Sequence, residues 1–311
     1  MRLGTPSLIG LVAALGLAAQ NASQGPGETP LFRSDTRLVV LYASVVDRKG
    51  NFLNTLDQSA FHVYENGVEQ PVKLFRREDV PISLGLVVDN SGSMRSKRAR
   101  VEAAALRLVR TSNRTDEVFI VNFNDESTLE QGFTSDLKLL EKRLTRIDSR
   151  GGTAMRDALA ASLEYMGRHA RMQKKVVFLI TDGEDNHSSI TLEHCMRTAQ
   201  RGEVLIYPMG LLSEEEKRAA KRAKRSLESL AVATGGLAFF PEDVEMVEQI
   251  ADRVARDIRN QYVLAYTPTN QALDGSYRQI RVVAKGPGTP TVRTRSGYYA
   301  TPEGTSPPRA D

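Results

Sequence analysis

The middle of the chain, residues 81–260, alternates continuous apolar runs with segments of helical periodicity. The apolar runs are ISLGLVVD, DEVFIVNFN, KKVVFLITDGED, EVLIYPMGL and the short LAFF. Such runs are typical of strands covered on both faces, whereas STLEQGFT is typical of a short edge strand. Helical repeats separate them, as from about Met94 to Thr111 and in SDLKLLEKRLTRI, where Ser135 is the expected N-cap. Strands alternating with helices predict an α/β fold with a doubly wound, mostly parallel six-stranded sheet.

The segments on either side of this region, residues 36–79 and 261–300, have the patterns of β-strands. The N-terminal segment contains FHVYENGVEQPVKLF, in which Asn66-Gly67 predicts a tight two-residue hairpin. Neither segment has enough strands to form a sandwich alone. We therefore expect the two to pair in one smaller β-sandwich-like domain, into which residues 81–260 are inserted. Residues 301–311 are expected to be a disordered tail.

The first residues of the chain have the pattern of a secretory signal peptide, predicted over residues 1–19. One basic residue, Arg2, precedes an apolar stretch from Leu8 to Ala19 that is too short to span a bilayer. An uncleaved anchor is the alternative, and a polar Gly/Pro linker is predicted over residues 20–35. We therefore expect an exported protein, periplasmic or secreted to the cell surface, with no membrane span after signal cleavage.

The composition is that of an ordinary globular protein, with 41% hydrophobic and 26% charged residues in 311. The formal net charge is +4 and the basic residues are scattered, so nucleic acid is not an expected partner. The single cysteine, Cys195, excludes an intramolecular disulfide and a zinc-finger type of metal site. It lies in a predicted helix and is expected to be buried.

Three loops rich in oxygen-bearing side chains follow predicted strands or precede predicted helices. They are DNSGS (89–93), GGT (151–153) and TDG (181–183). In a doubly wound sheet of order 3-2-1-4-5-6, the strands that end at Asp89 and Asp182 are neighbours, so both acids face one crevice. Two carboxylates and three hydroxyls form a hard oxygen donor set that suits Mg²⁺. The predicted metal ligands are Asp89, Ser91, Ser93, Thr153 and Asp182.

The structural alternative is that these residues are only turn formers and helix caps. Three oxygen-rich loops at one edge of a sheet favour the metal site, because caps do not require that coincidence. Glu184 and Asp185 add charge next to Asp182. We expect both to be solvated loop residues, with contact to the metal or its ligand as the less favoured alternative.

The pattern resembles the metal-ion-dependent adhesion site (MIDAS) of the von Willebrand factor A (VWA) family, which is Asp-x-Ser-x-Ser, a distant Thr and a distant Asp. All five positions are filled here, and the resemblance covers about residues 81–261. It implies that Ser91 and Ser93 bind the metal directly, and that Thr153 does so in the ligated state. Asp89 and Asp182 would act mainly through waters. One coordination position would be left for a carboxylate of a partner protein.

The flanking segments resemble a narrower group of bacterial secreted VWA-related proteins of the Acidobacteria type. The resemblance is carried by FHVYENG before residues 81–260 and by YVLAYTP, YRQIRVVAK and RSGYYA after them. These motifs are less specific than the three loops, and they imply export more than any particular partner.

The sequence thus favours a non-catalytic, Mg²⁺-dependent protein-binding or adhesion module, with Mn²⁺ or Ca²⁺ as other possible metals. One alternative is a metal-dependent phosphoryl-transfer or hydrolytic enzyme. The aspartyl-phosphate motif, however, needs a second aspartate two residues after Asp89, where this chain has Ser91. Motifs of serine hydrolases and P-loop enzymes are absent from the sequence. Another alternative is a structural assembly factor of the cell envelope.

Overall fold

The computed structural model describes most of the chain beyond the predicted signal peptide and linker, which lie outside the described residues. It describes residues 38–77, 79–144, 151–183, 185–212 and 217–302. The predicted tail lies outside them from residue 303 onward. The described residues belong to one compact unit, Arg37–Asp311. None of their helices combines the length and the hydropathy that crossing a membrane requires.

The strands and helices of the described residues have the following bounds. The strands are β1 Val39–Val46, β2 Phe61–Glu65, β3 Val68–Gln70, β4 Val72–Arg76, β5 Ile82–Asp89, β6 Glu117–Phe123, β7 Ser127–Thr134, β8 Lys174–Thr181, β9 Val204–Gly210, β10 Tyr262–Tyr266, β11 Tyr277–Ala284, β12 Thr291–Arg293 and β13 Gly297–Tyr299. The helices are α1 Arg98–Arg110, α2 Leu137–Leu144, α3 Met155–His169, α4 Leu192–Arg201, α5 Lys217–Thr234 and α6 Val247–Arg259.

The central sheet orders its described strands β7-β6-β5-β8-β9, and all of them are parallel except the edge strand β7. Numbered from β5, this is the order 3-2-1-4-5 of a doubly wound fold. Every residue of β5 is buried, in agreement with its continuous apolar run. β5 lies beside β8, so the carboxyl ends of these two strands meet at one edge of the sheet. We call this the carboxyl edge.

The two faces of the central sheet are covered by separate hydrophobic clusters. Helices α1, α2 and α6 cover the face to which Leu86 and Val88 of β5 contribute. Helices α3, α4 and α5 cover the other face, to which Val87 contributes and where Cys195 is buried. Alternate residues of a strand point to opposite faces, so a strand covered on both faces needs no polar positions. The predicted doubly wound α/β fold is confirmed.

The sixth strand expected at LAFF is not formed among the described residues. Phe239 makes only an isolated parallel bridge with Met209 of β9. Pro241 follows closely and has no backbone N–H to donate, which ends the pairing. A Cβ on Gly236 would lie 1.8 Å from the carbonyl oxygen of Ile206, so this segment packs directly against β9. The sheet therefore has five strands and one bridge where six strands were predicted.

Two helix starts also differ from the sequence prediction. The segment Gly92–Ser96 is a 3₁₀ helix, and α1 begins only at Arg98 instead of near Met94. At α2, the side chain of Asp136 accepts hydrogen bonds from the backbone N–H groups of Lys138 (3.0 Å) and Leu139 (3.2 Å). Asp136 and not Ser135 is therefore the cap, because its carboxylate reaches two of the free N–H groups of the first turn.

The segments that flank the α/β region (residues 81–260) pair with each other. β1 is antiparallel to β10 and β12 in one four-stranded sheet, β12-β1-β10-β4. β2 is antiparallel to β11 in the other, β13-β11-β2-β3. The hairpin between β2 and β3 turns at Asn66 and Gly67, whose φ angles are 48° and 83°. One hydrophobic cluster joins the two sheets, which we call the β flank.

A buried polar cluster connects the β flank to the α/β region. Arg293 of β12 donates hydrogen bonds to the Asp257 carboxylate of α6 and to the Ser44 hydroxyl of β1, the latter at 3.1 Å. The Gln261 amide donates to Ser44 (3.1 Å) and to the hydroxyl of Tyr207 in β9 (3.2 Å). Removing one partner of such a buried charge pair costs about 3–5 kcal/mol. The exact domain boundaries predicted at residues 79–81 and 260–261 stay a prediction.

Lys174, the first residue of β8, is a buried charge near this cluster. Only 3% of the residue is exposed, and its ammonium donates to the carbonyl of Ile258 at the end of α6. The ammonium also lies 5.1 Å from the centre of the Tyr42 ring. These two contacts favour the charged form. Burial, aided by the nearby charge of Arg259, outweighs them and lowers the pKa of Lys174 to about 7.

Stability should therefore rise with pH above neutrality. Between about pH 7 and the higher pKa of the unfolded chain, the unfolded state binds the proton and the folded state does not, so the free energy of unfolding increases by up to about 1.4 kcal/mol per pH unit. Urea unfolding between about pH 7 and pH 8 measures this slope, because the Cys195 thiol is still mostly protonated in the unfolded chain there, and burial raises its pKa to about 12 in the folded chain. Lys174→Met should flatten the slope and Lys175→Met should keep it. An equal slope in Lys174→Met would contradict the assignment.

Candidate functional site

The five predicted ligands lie at the carboxyl edge of the central sheet. Asp89 is the last residue of β5, and Asp182 follows the last residue of β8. Ser91 and Ser93 lie at the start of the 3₁₀ helix after β5, and Thr153 lies two residues before α3. All of them are buried except Ser93, which is exposed. The strand order that the sequence suggested therefore places the two acids next to each other.

A chain of hydrogen bonds connects the two carboxylates. Oδ1 of Asp89 accepts from the Ser91 backbone N–H at 2.8 Å, and Oδ2 accepts from the Thr181 hydroxyl at 2.6 Å. The hydroxyl oxygens of Ser91 and Ser93 are 3.1 Å apart. The Ser93 hydroxyl donates to Oδ1 of Asp182 at 2.9 Å. Four of the five predicted ligands thus belong to one contiguous set of oxygen atoms.

The environment of Asp89 opposes its negative charge. Burial raises the pKa of the Asp89 carboxyl above its usual value, and the neighbouring charge of Asp182 raises it further. The hydrogen bonds from Thr181 and Ser91 lower the pKa in part. A cation placed between the two acids would favour the ionised form of both.

Lys97 provides a positive charge at the site that the sequence analysis missed. Its ammonium forms an ion pair with Oδ2 of Asp182 at 2.8 Å and donates to the carbonyl of Leu211 at 3.1 Å. The Asp182 side chain is 1% exposed and the Lys97 side chain 23%. Lys97 stands one helical turn after Ser93, immediately before α1. That spacing from the serine motif is the sequence signal that could have identified it.

The loop that carries Thr153 is held against the loop that follows β5. The Gly92 N–H donates to the carbonyl of Gly151 at 3.1 Å. The Gly152 N–H donates to Oδ1 of Asp125 at 2.6 Å. Gly151 has a φ of +80°, and a Cβ there would lie 2.3 Å from Oδ2 of Asp125. Gly151 is therefore favoured by its backbone conformation, and both glycines lie close to the Asp125 carboxylate. The sequence analysis did not single out Asp125.

The third loop also contacts Thr153 through its backbone. The carbonyl of Thr153 accepts from the N–H groups of Asn186 (3.1 Å) and His187 (3.2 Å). Asp185 was expected to be a solvated loop residue, and this expectation is wrong. Its side chain is 6% exposed and accepts from the Arg156 N–H at 2.7 Å, at the start of α3. Asp185 thus fixes the loop to α3, and its neighbour Glu184 lies outside the described residues.

The donor set fits a hard divalent cation. All the polar side-chain groups in the hydrogen-bonded chain are carboxylate or hydroxyl oxygens, which are the ligands that Mg²⁺ prefers. The described residues contain no group of three or more His, Cys, Asp or Glu placed to hold a metal ion. The hydroxyls of Ser91, Ser93 and Thr153 would therefore have to complete a site here. The ion pair of Lys97 with Asp182 shows that a cation is already stabilised beside these oxygens.

Comparison with known proteins identifies the family of this region. Residues 84–184 match the family model of the von Willebrand factor type A domain. An uncharacterized protein of Synechocystis sp. is 28% identical over 111 residues, which are 35% of this chain and 26% of that protein. Calcium-activated chloride channel regulator 1 of Equus caballus is 28% identical over 167 residues, 51% of this chain and 17% of that protein. The chain thus covers well under a third of the length of these two relatives.

A solved structure agrees in fold over most of the chain. It is a von Willebrand factor type A protein from Catenulispora acidiphila, with a TM-score of 0.51 and 14% identity. The alignment covers 86% of this chain and 75% of that chain. At this identity the likeness shows the fold alone. The family match is a likeness in sequence, and it includes most of β5, the serine loop, α3 and β8. Residues 84–184 of this chain thus match the von Willebrand factor type A domain family, and the α/β region has a fold of this type.

Proposed function

We propose that this chain is a non-catalytic, metal-dependent protein-binding or adhesion module with Mg²⁺ at a MIDAS. The observation that carries the proposal is a set of three contacts: the Ser91 N–H donates to Asp89, the hydroxyls of Ser91 and Ser93 lie 3.1 Å apart, and the Ser93 hydroxyl donates to Asp182. Two further observations support the proposal: five residues at the carboxyl edge resemble the MIDAS pattern, and residues 84–184 match the model of the von Willebrand factor type A domain. Mn²⁺ and Ca²⁺ prefer similar oxygen ligands and are alternative metals.

The proposed roles are those that the resemblance to the MIDAS implies. Ser91 and Ser93 would contribute hydroxyl ligands, and Thr153 would join them when a partner binds. The buried carboxylates of Asp89 and Asp182 would supply the negative charge that retains the metal. Bound Mg²⁺ would offer an electrophilic coordination position to a carboxylate of a partner protein. Because hydroxyl ligands are neutral, they leave that position more strongly positive than carboxylate ligands would.

Export to the periplasm or the cell surface is also part of the proposal. Its support is the apolar stretch after Arg2 and the small residues at Gly16, Ala18 and Ala19 in the sequence. Such a location would place the module among other envelope or extracellular proteins, where an acidic side chain on a rigid loop could be its partner.

Metal binding should depend on Asp89. Asp89→Ala removes the acceptor of the Ser91 and Thr181 hydrogen bonds and one of the two buried charges, so we expect Mg²⁺ affinity to fall by about 100-fold or more. Isothermal calorimetry of the chain without residues 1–19 measures this. Glu69→Gln, which changes an exposed carboxylate of β3 in the β flank, is the control and should bind like the wild type. Unchanged binding in Asp89→Ala would remove the basis of the site.

Partner binding should be lost in three independent ways. EDTA should abolish it by removing the metal, and Thr153→Ala should abolish it while metal binding is largely kept, since Thr153 is proposed to matter in the ligated state. Pull-down from envelope extract, followed by surface binding of the identified partner, measures both effects. Asp or Glu→Ala at one position of the partner should have the same result. Binding that persists in EDTA would show that the partner docks elsewhere and that metal is not required.

A further inference from the structure

Lys97 is a charge built into the proposed metal site. Its ammonium is shared between Oδ2 of Asp182 at 2.8 Å and the carbonyl of Leu211 at 3.1 Å. The other oxygen of Asp182 accepts from the hydroxyl of Ser93, a proposed ligand. We propose that Lys97 sets the charge of the site: it weakens the binding of Mg²⁺ and keeps the loaded site positive, so that an anionic oxygen is preferred as the last ligand. This inference rests on the proposed function.

The count of formal charges is the first step of the argument. With both acids ionised around a bound cation, Asp89 and Asp182 would contribute two negative charges, and the ammonium of Lys97, in contact with Asp182, contributes one positive charge. Mg²⁺ would bring the sum to one positive charge, which a carboxylate from a partner would neutralise. Without Lys97, Mg²⁺ alone would neutralise the two acids, and a carboxylate would then add an uncompensated negative charge.

Two neighbouring acids, Asp185 and Asp125, add little to this sum of charges. Asp185 is paired with Arg156 at 3.1 Å, so these two charges compensate each other. Asp125 is bound to the N–H of Gly152, and its side chain is 48% exposed, so solvent screens it. Lys97, in contrast, forms an ion pair with a proposed ligand residue.

Lys97 is also held in place. Its backbone N–H donates to the carbonyl of Met94 at 2.9 Å, at the end of the 3₁₀ helix that carries Ser93. Leu211, the second acceptor of the ammonium, is itself bound through its N–H to the carbonyl of Thr181 at 2.8 Å. The ammonium therefore contacts two fixed groups, the Asp182 carboxylate after β8 and the Leu211 carbonyl after β9. With the Asp182 side chain almost fully buried, the interaction is only weakly screened.

Three variants test the proposal. Lys97→Gln removes the charge but keeps an N–H donor for Asp182, Lys97→Met removes both, and Lys97→Arg keeps the charge. Calorimetry with MgCl₂ on the chain without residues 1–19 should show Lys97→Gln and Lys97→Met binding on the order of tenfold more tightly than the wild type. Lys97→Arg should bind like the wild type. Circular dichroism and thermal unfolding without metal show which variants are folded.

The second measurement uses acetate as the probe for an anionic ligand. An excess of sodium acetate, against sodium chloride at equal ionic strength, should tighten Mg²⁺ binding in the wild type and in Lys97→Arg. Acetate and Mg²⁺ change each other's affinity by the same factor, so this shift reports acetate binding to the metal-loaded site. The shift should be lost in Lys97→Gln and Lys97→Met. A merely structural role of Lys97 would weaken Mg²⁺ binding in the neutral variants and leave the acetate effect in place.

The outcomes separate this inference from the function on which it rests. If the wild type binds Mg²⁺ and the folded neutral variants bind it equally or more weakly, the role of Lys97 is wrong and the metal site stands. If neither the wild type nor any variant binds Mg²⁺ or Mn²⁺, the proposed function fails and the inference fails with it. Tighter binding in both neutral variants together with loss of the acetate effect supports the proposal.

Discussion

The burial of two carboxylates at one edge of a parallel sheet is the constraint on which the site depends. Asp89 and Asp182 end neighbouring strands, and both are shielded from water by the helices that cover the sheet. Buried charges are costly unless they are hydrogen-bonded or paired. The surrounding residues meet this cost: Thr181 and Ser91 donate to one acid, and Ser93 and Lys97 donate to the other. The polar sequence of the three loops follows from this requirement.

The β flank depends on a different constraint, because the chain before and after the inserted domain must pair to complete it. Strands from before and after the VWA domain alternate in both flanking sheets, so neither set is complete without the other. Where the chain leaves α6, the Asp257 carboxylate pairs with Arg293 of β12, and Ser44 of β1 joins the same cluster. The entry and exit of the VWA domain are thus fixed by backbone pairing and by a buried charge pair, and the α6 end of the domain cannot move independently of the β flank without breaking them.

The strand order and the meeting of the loops could be predicted from the sequence because they follow from general rules. Continuous apolar runs identify central strands, and neighbouring parallel strands bring their following loops to one edge. These two rules are sufficient to place Asp89 and Asp182 side by side. The hairpin at Asn66-Gly67 is confirmed for a comparable reason, since few residues adopt its positive φ angles.

Two features of the site, the positions of Lys97 and Asp185, could not be predicted because they depend on long-range contacts. A lysine before a helix is ordinarily solvated, and the spacing of Lys97 from Ser93 places it near the serine loop without showing that it reaches an acid 85 positions away. Asp185 is buried for a similar reason, because its partner Arg156 lies at the start of α3, 29 positions earlier in the chain. The missing sixth strand reflects a local effect that was available in the sequence, the proline at position 241, which limits pairing to the bridge at Phe239.

The exposure of the five candidate ligands indicates the side from which a partner would approach. Asp89, Ser91, Thr153 and Asp182 are buried, whereas Ser93 is exposed. An incoming group would thus meet a hydroxyl first, with the carboxylates below it. Since Lys97 lies on the far oxygen of Asp182, its charge attracts an anion to this face without occupying the hydroxyl side. Without a bound cation, the two acids would repel an anion that approached them. With the proposed metal bound, this repulsion would be removed, so anion binding would depend on the metal.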